Sequence, residues 1–420
     1  MAGALEGIRV LDCSQIIAGP MAASLLAEMG ADVVKVEPLE GEPWRLQAEF
    51  IPKESRPFIN QNRGKRGVSL DLKRPEAEPV RAALIRWADV LVTNYRPGVA
   101  EQLKLDYESA RAIRPDIIYC ENTAFGTRGP DAQRRGYDIV AQAMSGLITS
   151  NGVVEGGVPR IVQFAPADVL TGALMAWSIT AALYHREKTG EGQMINTSLL
   201  LSALSLQAGF KEIVALDTDA HAARLQGLQD ARARGASMQE ILEERRAATP
   251  ELLGNIYYRV YQSQDGYIAV GCLGPGPRGR FRQALDIRDR RYDPDFDPAT
   301  ESMAEIGVAL VQQCEQIMRT RTTAEWMAVF DANDVAAGPV RFVDELWDDP
   351  QVQANGYVAE YDHSLVGTLR AAGPSVSMSV TPTRIPRASP ALGEHNDEVL
   401  HALGFNADQT DKLRRDGVIG

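Results

Sequence analysis

Cysteine is scarce in this chain: Cys13, Cys120, Cys272 and Cys314 are its four, widely separated and without a C-x-x-C pair. That spacing excludes a disulfide framework, argues against a structural metal site and fits free thiols in a reducing cytoplasm. Histidine is nearly as rare. His185, His221, His363, His395 and His401 show no metal-ligand spacing, and no G-x-S-x-G turn offers a partner for a Ser-His hydrolase. Positive charge is also short, since 44 basic against 56 acidic residues leave a net charge of −12. No global positive field would gather a polyanion, which argues against a nucleic-acid protein while leaving local basic sites open. The opening Met1-Ala2-Gly3-Ala4-Leu5-Glu6-Gly7 lacks the basic and long apolar regions of a secretory signal, so a cytoplasmic location is the expectation. The longest nearly apolar run, Val169 to Leu183, falls short of the roughly 20 residues that span a bilayer and is led by Asp168. It is expected as a buried helix, with no membrane partner.

At 420 residues, 45% of them hydrophobic, the chain is long for one core, and two domains are expected. Its first half alternates short β-branched runs with helical patterns, the pattern of βαβ units around a parallel sheet. Ile8-Arg9-Val10-Leu11, Asp32-Val33-Val34-Lys35-Val36, Val68 to Lys73, Ala88-Asp89-Val90-Leu91-Val92 and Asp116-Ile117-Ile118-Tyr119-Cys120 read as strands, with a helix at Met21 to Met29. Two apolar helices follow, near 169–186 and 195–208. From Lys211 to Arg246 charged residues and Ala recur at helical spacing, as in an exposed connector. Tyr257 to Tyr261 and Tyr267 to Val270, joined by Gln264-Asp265-Gly266, predict a β-hairpin that opens a smaller domain. Gly274-Pro275-Gly276-Pro277 predicts a loop, helical segments run on to about Asn333, Val335 to Val340 marks a boundary, and an amphipathic helix follows Ala391. The divisions read from this are a large domain over 1–210, a linker over 211–250, a small α+β domain over 251–333, and a second linker returning to the large domain over 334–420.

Several segments carry candidate chemistry. Ala18-Gly19-Pro20 follows the first strand, and Glu37 ends the second where a ribose-binding acid would lie. One glycine stands where a dinucleotide fingerprint needs three, so no nicotinamide or flavin site is expected. Asn62-Arg63-Gly64-Lys65-Arg66 reads either as a solvated turn or as an anion site. Asn94-Tyr95-Arg96-Pro97-Gly98 follows a strand at the edge where open α/β sheets bind ligands, and reads either as a plain loop or as a place for a nucleotide base and its phosphates. Asp293-Pro294-Asp295-Phe296-Asp297 alternates carboxylates like a calcium loop but has Pro298 and Ala304 where glycine and glutamate belong, so a solvated turn is expected. Asp168 is the sole acid between Glu155 and Glu187. It reads as the N-cap of the apolar helix, as a nucleophile or base held at a helix N-terminus, or as both.

Taken in order, these segments resemble the family III CoA-transferases, the CaiB/BaiF family, over almost the whole chain. The resemblance runs through Gly7 to Asp12, Ala18-Gly19-Pro20, Met29 to Glu37, Asn62 to Arg66, Leu70-Asp71-Leu72-Lys73 and Asn94 to Gly98. It continues in Gly136-Tyr137-Asp138, Gln142-Ala143, Ala167-Asp168, Arg186 to Gln193, Gly338-Pro339-Val340 and Leu392-Gly393-Glu394-His395, and is weakest over 211–330. It implies a Rossmann-like parallel sheet in an α/β large domain, a smaller α+β domain, and an interlocked homodimer. It also implies CoA transfer from an acyl-CoA thioester to a free carboxylic acid, with Asp168 as covalent nucleophile, coenzyme A as substrate and no metal. By the same resemblance CoA contacts fall on Gln15 and Ala18, on Leu70, Asp71 and Lys73, on Asn94, Tyr95 and Arg96, and on Arg135, Gly136, Tyr137 and Asp138. Arg135, Arg96, Lys73 and Lys104 are the cations for the CoA phosphates. Gln15 stands where formyl-CoA transferases often have His, Ile17 replaces a glutamine and Pro38 an arginine, which puts oxalate and formate in doubt as substrates. The shielding glycine-rich loop of the family has no clear copy, and Gly274-Pro275-Gly276-Pro277 is the candidate substitute. The racemases of the same fold use His where Tyr137 stands, and an imidazole suits α-proton exchange at neutral pH better than a phenol. A non-catalytic CoA-binding protein is the third reading, weakened by the retention of Asp168.

Overall fold

Runs of four to six residues rich in Val and Ile build the frame of the first structural unit: β1 (Arg9–Asp12), β2 (Asp32–Glu37), β3 (Arg66–Ser69), β4 (Val90–Thr93), β5 (Ile118–Thr123) and β6 (Met194–Ser198). In the computed structural model, which describes residues 2–207, 210, 213–247 and 254–420, these strands form one sheet in the order β6-β5-β4-β1-β2-β3. Every pairing is parallel. The connecting helices include α1 (Ala18–Glu28), α2 (Glu78–Trp87), α3 (Tyr107–Ile113), α4 (Asp138–Ser145), α5 (Pro166–Thr189) and α6 (Leu199–Ser205). Side chains alternate between faces, so Val10, Val33, Val90 and Ile118 pack with Ala22 and Leu26 of α1 and Met175 and Ile179 of α5. Leu11, Val34, Leu91 and Tyr119 pack on the other face with Val80 and Leu84 of α2 and Ala110 of α3. Burial on both faces is why these strands read as nearly unbroken apolar runs.

By contacts the chain divides into two units: Met1–Glu155, Pro159–Ile213 and Gln351–Gly420 form one, Gly156–Val158 and Val214–Pro350 the other. The second contains α7 (Val214–Ala233), α8 (Met238–Ala247) and the antiparallel hairpin of β7 (Tyr258–Gln262) and β8 (Tyr267–Gly271), the strands and turn that the Asp265-Gly266 signal predicts. The ends of the predicted connector, at 211–212 and 248–250, and the first residues of the expected small domain, 251–253, lie outside the described residues. Behind the hairpin, α9 (Pro275–Leu285), α10 (Met303–Met318) and α11 (Thr323–Ala332) bury Phe281, Trp326 and Phe330 against Tyr261.

Five expectations about the elements are corrected. The helix placed at 195–208 opens as a strand, with Ile195 opposite Cys120 and Ser198 opposite Thr123, before Ser198 caps α6 by accepting from the Leu201 N–H; Ala208 is outside the described residues. Gly274-Pro275-Gly276-Pro277 is the start of α9 rather than a loop, because proline fits the first helical turn, where its missing N–H has no partner to lose. The stretch Val335 to Val340 holds β9 (Ala337–Pro339), a third strand paired to β8, and so is not a boundary. The strand expected over Val68 to Lys73 ends at Ser69, and the chain turns as the Leu72 N–H donates to the Leu70 carbonyl. The carboxylates of the 293–297 turn are paired internally, Asp293 with Arg288 at 2.6 Å and Asp295 with Arg290. All four cysteines are free and buried.

After the second unit the chain adds the hairpin of β10 (Val358–His363) and β11 (Gly367–Ala372), then α12 (Asn396–Ala402) and α13 (Ala407–Arg415). The single tail helix expected after Ala391 is therefore two, split at Leu403-Gly404. The last residues reach the free edge of β3 through a bridge between Leu70 and Ile419.

Candidate active site

In this sheet β1 lies between β2 and β4, so the chain leaves β1 toward one side and returns later on the other. Such a switch point opens a crevice beyond the strand C-termini. Here the two loops flanking it are tied together. The Asn94 side chain after β4 accepts from the Gln15 N–H at 2.8 Å and donates to the Gln15 carbonyl at 2.7 Å. The next residue, Ile16, has φ +72°, a left-handed conformation costing a β-branched residue of order 1–3 kcal/mol. Its N–H donates at 2.8 Å to Glu42, a buried carboxylate held 3.3 Å from the Lys35 ammonium. A cavity of about 680 Å³ opens over these loops, within the first unit.

Asp168 reaches that cavity from the start of α5. It is the third helical residue and not the N-cap; Ala165 occupies the cap position. Capping is supplied from elsewhere. The buried Asp138, at the start of α4, accepts from the Ala167 N–H at 2.8 Å and the Asp168 N–H at 3.2 Å. Its second oxygen takes the Gln142 side-chain N–H, and Gln142 in turn accepts from the Val162 N–H at 2.9 Å. Asp138 therefore fixes the first turn of the helix that carries Asp168. Burial first, and then the charge of Asp138, push the Asp168 carboxyl up to about 7, while the Ala18 N–H draws it down. At neutral pH the group is then divided between acid and carboxylate. A carboxylate that binds protons this well is a better nucleophile than an exposed aspartate whenever it is ionised. Just before α5, Phe164 and Ala165 have φ +68° and +48°, two successive left-handed non-glycine residues that set the entry into the helix.

Most of the residues singled out from the sequence converge on this cavity. Gln15 and Asn94 stand at its floor, though the Asn94 amide is spent on the Gln15 backbone rather than left for a ligand. Leu70, Asp71 and Lys73 come from the turn after β3, Tyr95 and Arg96 from the loop after β4, and Arg135, Gly136 and Tyr137 from the approach to α4. Three do not line it. Ala18 is fully buried and acts on Asp168 through its N–H, Asp138 has both carboxylate oxygens engaged by protein donors, and Lys104 is an exposed residue at φ +53° off the cavity wall. The anion reading of Asn62 to Arg66 fails, because each cation already has a carboxylate: Arg63 binds Glu28, Lys65 binds Asp12 at 2.8 Å, and Arg66 binds Asp32 at 2.7 Å and Glu398 at 3.0 Å. The sequence reading missed Arg134, Leu199 and the turn Pro38 to Gly41, which also line the cavity. For Arg134 the signal was present, a second arginine beside Arg135; for Leu199 there was none, since its place depends on β6.

Comparison with known proteins fixes the family. The profile described as CoA-transferase family III matches residues 5–396. The chain belongs to that family. A succinate–glutarate CoA-transferase of Agrobacterium fabrum is 33% identical over 417 residues, covering 95% of each chain. A formyl-CoA:oxalate CoA-transferase of Rhodopseudomonas palustris is 31% identical, covering 97% of this chain and 95% of its own. The crystal structure of a CAIB/BAIF family protein from Brucella suis superposes with a TM-score of 0.71 at 28% identity, over 96% of this chain and 100% of that one. The mixed α/β architecture with its six-stranded parallel sheet is thus that of solved family III structures. Every cavity-lining residue named above falls inside the matched family III span.

Proposed function

We propose that this family III CoA-transferase moves CoA from an acyl-CoA thioester to a free carboxylic acid through covalent intermediates on Asp168. The observation that carries the reading is a carboxyl group at the head of α5, opening on a cavity of about 680 Å³ and held near neutral proton affinity. As carboxylate, Asp168 attacks the thioester carbonyl, the C–S bond breaks, and a mixed anhydride and CoA thiolate result. The thiolate attacks the aspartyl carbonyl of that anhydride, giving an aspartyl-CoA thioester and releasing the donor acid. The acceptor carboxylate attacks this thioester, again freeing thiolate, and the thiolate opens the second anhydride at the acceptor carbonyl. New acyl-CoA leaves and Asp168 is a carboxylate once more. Each step exchanges acyl groups of comparable energy, so no ATP is consumed.

Forming the anhydride removes the charge of Asp168 from beside Asp138, which relieves their repulsion as the reaction proceeds. The Ala18 N–H, at the start of α1, draws the Asp168 carboxyl down and is the donor assigned here to the developing oxyanion. Along the cavity, Gln15, Leu70 to Lys73, Tyr95, Arg96 and Arg135 to Tyr137 hold the CoA, with Lys73, Arg96 and Arg135 toward its phosphates. Tyr137 in place of a racemase histidine favours transfer over racemisation. Succinate and glutarate, the acids named for one relative, are the first acceptors to test. The chain acts as a cytoplasmic homodimer; support for the dimer is the exposed apolar stripe of α5, with Trp177 at 69% and Tyr184 at 68% exposure. Asp168→Asn tests the reading: transfer from succinyl-CoA to glutarate, followed by chromatography, is expected to fall at least about a thousandfold. Wild-type activity in that variant would overturn it.

A further inference from the structure

The turn Leu70-Asp71-Leu72-Lys73 lines the cavity on one side. On its other side lies the segment Val418-Ile419-Gly420, which no functional assignment above uses and which stands beyond the family-matched residues 5–396. β3 is an edge strand, so its outer backbone groups have no strand partner within the parallel sheet. His395 and Asn396 meet that edge at Gly67 and Ser69, and the segment continues the cover just past the end of the strand. Ile419 bridges Leu70 in antiparallel sense, and the Asp71 N–H donates to the Val418 carbonyl at 2.9 Å. The Gly420 N–H donates to the Ser69 hydroxyl at 3.1 Å. Asn396 locks the arrangement, accepting from the Ser69 N–H at 2.9 Å and donating to the Gly420 carbonyl at 2.8 Å. Arg74, just past the turn, donates to the Asp416 carbonyl at 2.8 Å. Val418 and Ile419 are buried in the same core cluster as Leu70.

The turn is therefore clamped between the cavity and this segment, with bonds at Ser69, Leu70, Asp71 and Arg74 that bracket its cavity-facing residues. We propose that Val418-Ile419-Gly420 is a positioning element for CoA: it pairs with the chain just beyond β3 and fixes the backbone of Leu70 to Lys73 where the cofactor-sized substrate lies. The inference rests on the reading that this turn contacts CoA. It assigns the segment no contact with the acyl group or acceptor acid, so its effect belongs to CoA affinity and not to the chemical step.

Two variants of the full chain test it, deletion of residues 418–420 and Ser69→Ala, the second removing the hydroxyl that receives Gly420 without opening the core. Calorimetric titration with CoA and steady-state kinetics are expected to show CoA affinity weakened about threefold in Ser69→Ala and about tenfold in the deletion. The KM for acyl-CoA should rise in step, while kcat and the KM for the acceptor acid stay within about twofold. Adding Ser69→Ala to the deletion should weaken CoA binding less than Ser69→Ala does alone, because the Gly420 contact is already gone and only the bond from the Asn396 side chain to the Ser69 hydroxyl, at 3.2 Å, is left to lose. If the deletion does not fold, Ser69→Ala alone decides. Folded variants with wild-type CoA affinity, or with both KM values and kcat altered together, overturn the inference. Weakened CoA binding in Lys73→Ala beside an unaffected deletion would sink this proposal alone, whereas no CoA binding by the wild type would sink the reading beneath it.

Discussion

In the proposed mechanism Asp168 meets two opposed demands, since it must be ionised to attack and yet sits where burial and Asp138 favour the proton. The rate of transfer at low substrate should therefore climb with pH through about 7, as the free enzyme's carboxyl ionises. A profile flat from pH 5 to 9 would refute that assignment. Asp138→Asn keeps an oxygen to accept the Ala167 and Asp168 N–H groups but removes the neighbouring charge, so the midpoint of the profile should move to lower pH. Stability carries the same signature with a definite sign. The folded-state value lies above the ordinary aspartate value of 3.8, so the native state holds the extra proton between about pH 4 and 7 and loses stability as pH rises through that window. Asp168→Asn escapes the loss. Its melting temperature should exceed wild type by several degrees at pH 8, equivalent to about 3 kcal/mol after allowance for water in the cleft, with the gap shrinking toward pH 5. Scanning calorimetry at the two pH values checks this. Asp168, which lines the cavity, stood out in the sequence because one acid interrupts a long stretch without another. Its exact station was not, because the group that caps the helix is Asp138, thirty residues earlier and adjacent only once α4 and α5 pack.

At the scale of elements, the catalytic geometry depends on how closely α1 approaches α5. A Cβ at Gly172 would stand 2.9 Å from the Ala18 carbonyl oxygen and 3.0 Å from the Met21 Cβ. Gly172→Ala must push α1 away and with it the Ala18 N–H that acts on Asp168. The expected result is a loss of about 1–3 kcal/mol of stability and a drop in kcat larger than any change in the KM for acyl-CoA. Unchanged kcat in a folded variant would show that Ala18 is not part of the site. The strands β1, β2, β4 and β5 could be read from sequence within three residues at either end because each is a short apolar run closed by polar residues. β6 and β9 could not. Met194 to Ser198 has two apolar residues followed by three polar ones, and Ala337-Gly338-Pro339 has no strand propensity; each is made a strand by the neighbour it pairs with. The basic cluster Asn62 to Arg66 misled for a related reason, as its carboxylate partners Glu28, Asp12 and Asp32 come from other elements.

For the whole molecule, the resemblance carried across almost the entire length identifies the family where no single motif would, since the glycines, histidines and cysteines that mark other enzyme classes are absent or scattered. Trp177 and Tyr184 on α5 give the proposed homodimer a local test. Trp177→Glu should shift the species seen by light scattering from dimer toward monomer, and a wild-type dimer in that variant would move the interface elsewhere. What the sequence could not reach at this scale is the return of residues 416–420 to the turn at Leu70 to Lys73, a contact spanning most of the chain.

In the proposed mechanism Asp168 carries first the acyl group and then CoA covalently. Incubating the enzyme with succinyl-CoA and hydroxylamine, then mapping peptides by mass spectrometry, should place a hydroxamate on Asp168 and on no other carboxylate. An unmodified Asp168 in enzyme that is turning over, or the label on a different residue, would contradict the account.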